Sequence, residues 1–178
     1  YAMAKLSAIE IGRSMSKQYG HKVLNLMPTN LYGPNDYFSD LDSHVIPALI
    51  HRMYKAIENG EDKFTVWGSG APLREFLYVD DLSNFINFII DKDIKSDLIN
   101  VGSGEEISIY NLALLIQELM NFQGDVIFDS SRPDGNPRKL LDSGLMKELG
   151  WNEFTNLRKG LMNTINWYKS NQDSKRIN

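Results

Sequence analysis

FLYVDDLSNFINFII, residues 76–90, followed after a polar break by LINVGSG, residues 98–104, is the stretch whose reading decides the fold. Residues 76–79 form a short apolar run of strand length. Asp80 or Asp81 then offers an N-cap, and Leu82, Phe85, Ile86, Ile89 and Ile90 recur at helical spacing on one face. Residues 98–101 read as a second strand, closed by Gly102-Ser-Gly104. Strand, helix and strand in this order spell a crossover between parallel strands, hence an α/β fold.

The same alternation extends in both directions. Residues 2–19 predict a helix with Ala4, Ala8, Ile11 and Met15 in one stripe and Leu6 and Ile9 elsewhere, a pattern that packs on more than one side. Gly20 ends it. Residues 23–27 predict a buried strand stopped by Pro28. Ser43 is placed to cap a helix carrying Ile46, Leu49, Ile50, Met53 and Ile57, with Pro47 in its first turn and Asn59-Gly60 at its end. Residues 64–67 form a strand before the turn Gly68-Ser-Gly70. Ser108 caps a helix with Leu112, Leu115, Ile116 and Leu119 inward. Short strands at 126–128 and 139–141 flank a polar loop, helices follow near 143–149 and 155–170, and the tail from 170 to 178 reads as frayed.

Composition narrows the function classes. A net charge of −4 and the lack of a basic stripe argue against a general nucleic-acid binder. No apolar run reaches membrane-spanning length. The absence of cysteine excludes disulfides and thiolate metal sites within these 178 residues and suits a cytoplasmic protein. An open parallel sheet normally starts with a strand and a glycine-rich turn that holds a pyrophosphate. Gly68-x-Gly70 and Gly102-x-Gly104 lack the third glycine of that turn. The expectation is therefore the C-terminal part of a longer protein whose upstream half carries the dinucleotide fold.

Chemistry is concentrated in a few side chains. Tyr1 and Lys5 are spaced so that one helix face presents both to the same pocket. A cation beside a phenol favours the phenolate, and a tyrosine so placed can exchange a proton with a carbonyl oxygen during hydride transfer. His44 falls at a helix start, where free N–H groups and the positive dipole end favour a neutral imidazole. Arg52, eight residues on, lies about 12 Å further along the axis and about 80° around it. Its planar fork suits a diphosphate, as does that of Arg74 after the 68–70 turn. Asp134, in a loop with Gly135 and two prolines, either accepts hydrogen bonds from a ligand or serves the turn alone. Asp80-Asp81 make no metal site, because a helix N-cap accounts for them and no other ligand sits at useful spacing.

Past Tyr1-x-x-x-Lys5, an ordered series follows: Met27-Pro-Thr-Asn-Leu-Tyr-Gly-Pro34, Ser43-His-Val-Ile-Pro-Ala-Leu49, Val66-Trp-Gly-Ser-Gly70, Arg74-Glu-Phe76, Val79-Asp-Asp81, Asn100-Val-Gly102 and Pro133-Asp-Gly-x-Pro-Arg-Lys-Leu-Leu-Asp142. In order and spacing it resembles the GDP-L-fucose synthase family of extended short-chain dehydrogenase/reductases, and the resemblance covers essentially the whole chain. It implies an enzyme that uses NADPH to turn GDP-4-keto-6-deoxy-D-mannose into GDP-L-fucose by epimerisation at C3 and C5 and reduction at C4. It implies that Tyr1 is the proton donor and that Lys5 holds the nicotinamide ribose. Pro28, Thr29, Asn30 and Leu31 would lie against the nicotinamide. His44 would be the epimerisation acid and touch the cofactor, and Arg52, Trp67, Arg74 and Asp134 would bind the GDP-sugar. Arg138 and Lys139 would add to phosphate binding. It also implies a homodimer built through the catalytic helix.

The expected domains are 1–43, the catalytic helix and late part of the dinucleotide-binding domain, and 44–178, mostly a substrate-binding domain with a return to the sheet near 76–101. Two rival readings remain at this level: a reductase without epimerase activity on a related GDP-4-keto sugar such as a heptose, and a non-catalytic sugar-nucleotide-binding module.

Overall fold

A computed structural model describes residues 1–40 and 42–171; the expectation for the tail lies mostly outside the described residues. The chain runs α1 (Ala2–Tyr19), β1 (Asn25–Pro28), β2 (Asn30–Tyr32), α2 (Val45–Glu58), β3 (Lys63–Trp67), β4 (Leu73–Tyr78) and α3 (Val79–Ile89). It continues through β5 (Leu98–Val101), β6 (Glu106–Ser108), α4 (Ile109–Met120), β7 (Asp125–Asp129), β8 (Arg138–Lys139), α5 (Gly144–Glu148) and α6 (Leu157–Ser170). β1 pairs with β5, β2 with β4, β3 with β7 and β8 with β4, all parallel, and β6 runs antiparallel against β4. The α/β architecture with largely parallel pairing is as expected.

β4 is the hub. Successive side chains of a strand point to opposite faces, so Leu77 enters one hydrophobic core and its neighbour Tyr78 the other. The first core joins α2, α4 and α6 through residues such as Ile50, Met53, Ile116 and Leu161, all fully buried. The second packs Phe85 and Ile89 of α3 with Ile99 and Val101 of β5, Met146 and Trp151. Each such side chain contributes roughly 1.5–3 kcal/mol by leaving water.

Several local expectations are corrected. His44, not Ser43, is the N-cap of α2, while the Ser43 hydroxyl donates to the Ser39 carbonyl at 2.8 Å. Tyr78, not Asp80 or Asp81, is the N-cap of α3. The buried Asp81 carboxylate instead accepts the Thr155 N–H at 2.7 Å and hydroxyl at 2.8 Å, which ties α3 to the chain ahead of α6. β4 starts at Leu73, so Arg74 lies inside a strand and not before one. In α1 the expected two-sided packing is not met by these residues: Gly12 alone is buried, and Met3, Leu6 and Ile11 are exposed. Gly12 is required where it stands, since a Cβ would come within 2.8 Å of the Val23 side chain. No helix of the described residues is long and apolar enough to cross a membrane.

Candidate active site

The ends of β1 and β2, the start of α2 and the chain after β8 surround a cavity of about 970 Å³. Open parallel sheets place ligands at the carboxyl ends of their strands for topological reasons, and this cavity lies there. It brings together Tyr1, Pro28, Thr29, Asn30, Leu31 and His44 from positions far apart in sequence. Lys5 is not part of its wall; its ammonium stands 5.3 Å from the centre of the Tyr1 ring, and the Lys5 main-chain N–H donates to the Tyr1 carbonyl. Tyr1 is almost fully exposed, at 97%.

Local structure explains how these groups are held. Pro28 ends β1 and pairs in register with Val101, and the Thr29 N–H donates to the Val101 carbonyl at 3.0 Å. The Thr29 hydroxyl and the Asn30 amide both donate to the main-chain carbonyl of Glu75, at 3.2 and 2.7 Å. The side chains of Thr29 and Asn30 thus lock the strand end, leaving Pro28 and Leu31, with Val45 and Ile46 of α2, as an apolar wall. At the far side Lys139 adds a cation. Arg138 does not: its guanidinium grips Glu106 with two nitrogens, at 2.8 and 2.6 Å.

A second recess, of about 320 Å³, collects Arg52, Trp67, Arg74 and Asp134. Arg74, Ser43 and Val45 line both spaces, so the two adjoin. Trp67 is not core; it is 45% exposed. The Arg52 guanidinium lies 4.9 Å from its ring centre and 5.3 Å from that of Phe64, and donates to the Thr65 carbonyl. Burial disfavours the charge on Arg52, an effect that Asp40 opposes. Asp134 accepts the Ser69 N–H at 2.9 Å and the Ser69 hydroxyl at 2.6 Å, closing the 68–70 turn over the 130s loop. Those bonds, with Arg74 nearby, hold its carboxyl below the usual range.

Sequence reasoning passed over three residues here. Asp36 lines the large cavity with His44; burial raises its carboxyl, opposed by the Tyr37 N–H and by His44. The available signal was a carboxylate two residues past the turn Gly33-Pro34 and eight before His44. Arg132 sits 5.3 Å from the centre of the Trp67 ring, and an arginine in a proline-bounded loop gives no such hint. Glu75, wholly buried in β4, left no trace in the sequence because a carboxylate reads as surface.

Residues 1–102 match the NAD dependent epimerase/dehydratase family. The chain is 46% identical over 171 residues to a probable GDP-L-fucose synthase 1 of Oryza sativa subsp. japonica, covering 96% of this chain and 52% of that protein. It is 45% identical over 171 residues to GDP-L-fucose synthase 1 of Arabidopsis thaliana, with 96% and 53% covered. Among solved structures, a GDP-L-fucose synthetase from Naegleria fowleri bound to NADP superposes with a TM-score of 0.92 at 32% identity, over 99% of this chain and 57% of that one. The chain spans about half the length of the curated relatives it matches.

Proposed function

This chain belongs to the NAD dependent epimerase/dehydratase family, and from that premise we propose that it forms the substrate-side part of an NADPH-dependent GDP-L-fucose synthase. The reaction is conversion of GDP-4-keto-6-deoxy-D-mannose to GDP-L-fucose, with epimerisation at C3 and C5 and reduction at C4. One observation carries the reading: a single cavity gathers Tyr1, residues 28–31 and His44, and opens through Arg74 onto a recess built from Arg52, Trp67 and Asp134. A ligand with a reacting sugar at one end and a charged nucleotide at the other matches that pair of spaces.

The residues present fit a nicotinamide. Pro28, Leu31, Val45 and Ile46 offer a flat ring an apolar wall, and Lys5 stands beside Tyr1 for the ribose. When bound, NADPH supplies the reducing equivalent for C4. Tyr1 gives its proton to the C4 oxygen as negative charge builds there, with the Lys5 ammonium 5.3 Å from its ring centre. His44 would return a proton to C3 or C5, carbons made acidic by the adjacent ketone, after a base supplied from outside these residues has taken the original proton from the opposite face. Arg52 and Arg74 neutralise the diphosphate, because guanidinium forks match phosphate oxygens. Asp134, with lone pairs beyond those given to Ser69, accepts from the nucleoside.

The division into 1–43 and 44–178, with a return to the sheet near 76–101, is part of the same reading; Leu24, Leu26 and Leu31 packing against Leu77, Phe85, Ile99 and Val101 support that return. So are a cytoplasmic setting and a homodimer through α1; the exposed Met3, Leu6 and Ile11 support the dimer. The test is the full-length gene product supplied with NADPH and the keto sugar in D2O. Loss of nicotinamide absorbance with deuterium at C3 and C5 is expected. Reduction without deuterium makes the protein a C4 reductase on a related GDP-4-keto sugar, and no absorbance loss makes it a binding module.

A further inference from the structure

Glu75 is fully buried, and the mechanism does not use it. Its place on β4 is the face of Leu73 and Leu77, while Arg74 and Phe76 on the opposite face line the large cavity. One carboxylate oxygen accepts the Gly104 N–H at 2.7 Å and the other the Leu141 N–H at 3.1 Å. Gly102 makes room for it, since a Cβ there would collide with the carboxylate. Its main-chain carbonyl accepts from both Thr29 and Asn30. No cation is hydrogen-bonded to the carboxylate among the described residues, so it serves purely as a double acceptor for two backbone N–H groups from different loops.

Leu141, with Lys139 and Leu140, forms one edge of the cavity; β8 pairs with β4 only as far as Lys139 and the Asn100 amide donates to the Asp142 carbonyl, so between them the Leu141 N–H is held by the Glu75 carboxylate. On the functional reading above, we propose that Glu75 is a positioning residue with two separable roles. Its carboxylate fixes the 139–141 edge for the sugar nucleotide, and its carbonyl fixes Thr29 and Asn30 for the cofactor. A buried polar group that loses its partner is costly, so the two loops keep this register only while both oxygens accept.

Glu75→Gln in the full-length gene product is the test, because an amide keeps the shape but presents N–H to one of the two backbone donors. The expected result is a KM for the sugar nucleotide raised about tenfold, with the KM for NADPH moved by less than about twofold, since the carbonyl is untouched. A residue that only supports folding would lower the melting temperature and the active fraction and leave both KM values in place. That outcome, or an equal rise in both, overturns the proposal. Gly102→Ala should reproduce the same split by displacing the carboxylate from outside the cavity wall. If neither variant folds, hydrogen exchange in the unmodified protein decides: slow exchange at Leu141 and Gly104 is expected, and fast exchange at either refutes it. The unmodified enzyme also separates this question from the functional reading. If it fails to oxidise NADPH with the keto sugar, that reading falls, while the exchange measurement still reports on Glu75.

Discussion

Replacing Trp67 by alanine tests how the proposed nucleotide recess is built. The Trp67 ring is the shared platform of two arginines, with Arg52 at 4.9 Å and Arg132 at 5.3 Å from its centre. Arg52 retains Phe64 and the Thr65 carbonyl after the change, whereas the Arg132 guanidinium retains Asp129, at 3.9 Å, alone among the described residues. At half-exposed sites each cation–π contact is worth about 0.5–1 kcal/mol, so the variant loses roughly 1–2 kcal/mol of arginine placement. Expressed in the sugar-nucleotide complex, that is about a 5- to 30-fold rise in Kd. Steady-state kinetics on the full-length enzyme, with titration of GDP by quenching of Trp67 emission in the unmodified protein, measure it. Trp67→Phe keeps a smaller platform and should fall between. An alanine variant whose KM for the sugar nucleotide stays within about twofold of wild type would refute the argument, as would a fall in kcat with KM unmoved.

Tyr1→Phe is expected to abolish C4 reduction while sparing solvent exchange at C3 and C5; equal loss of both, followed by mass spectrometry of the sugar, would mean the roles are wrongly divided. His44→Gln should slow the exchange and spare more of the reduction, and an unchanged exchange rate removes it from the acid role. Tyr32→Phe deletes a buried hydroxyl that has no hydrogen-bond partner among the described residues, so it should gain about 1 kcal/mol, or roughly 2–4 °C in melting temperature; a loss would show that the hydroxyl is satisfied in solution. Burial, with Lys55, pushes the His51 imidazole below its ordinary value, against the pull of Asp40. The unfolded chain then binds more protons than the native one below about pH 6.5, so stability is full above that pH and falls as pH drops through the folded value. Melting temperatures from pH 7.5 to 5 should show this slope, and His51→Asn should flatten it; an equal slope in both proteins places the titration elsewhere.

Much of the fold was legible because its signals are local. Helical periodicity announced α2, α3, α4 and α6, and apolar runs bounded by glycine or proline announced β1, β3 and β5. Two strands escaped. β2 looks like a turn because Asn30 is polar, yet it forms by pairing with Phe76-Leu77-Tyr78. β6 is three residues long, and its antiparallel partner lies about 30 residues earlier in β4. Ser43 looked like a cap and the structure gave that position to His44, because Ser39 competes for the Ser43 hydroxyl. Such competition is settled by loop geometry, which composition does not encode.

The order of chemical residues, from Tyr1 and Lys5 through His44 to Arg52, Trp67, Arg74 and Asp134, was readable from the chain alone, as was the alternation of strands and helices. Their assembly was not. That Arg74 joins two recesses, that Trp67 stands in solvent under two guanidinium groups, and that a buried carboxylate at 75 reaches Gly104 and Leu141 were decided by strand pairing. The physical reason is range: hydropathy and spacing report on neighbours a few residues away, whereas the Glu75–Leu141 contact closes a separation of 66 residues.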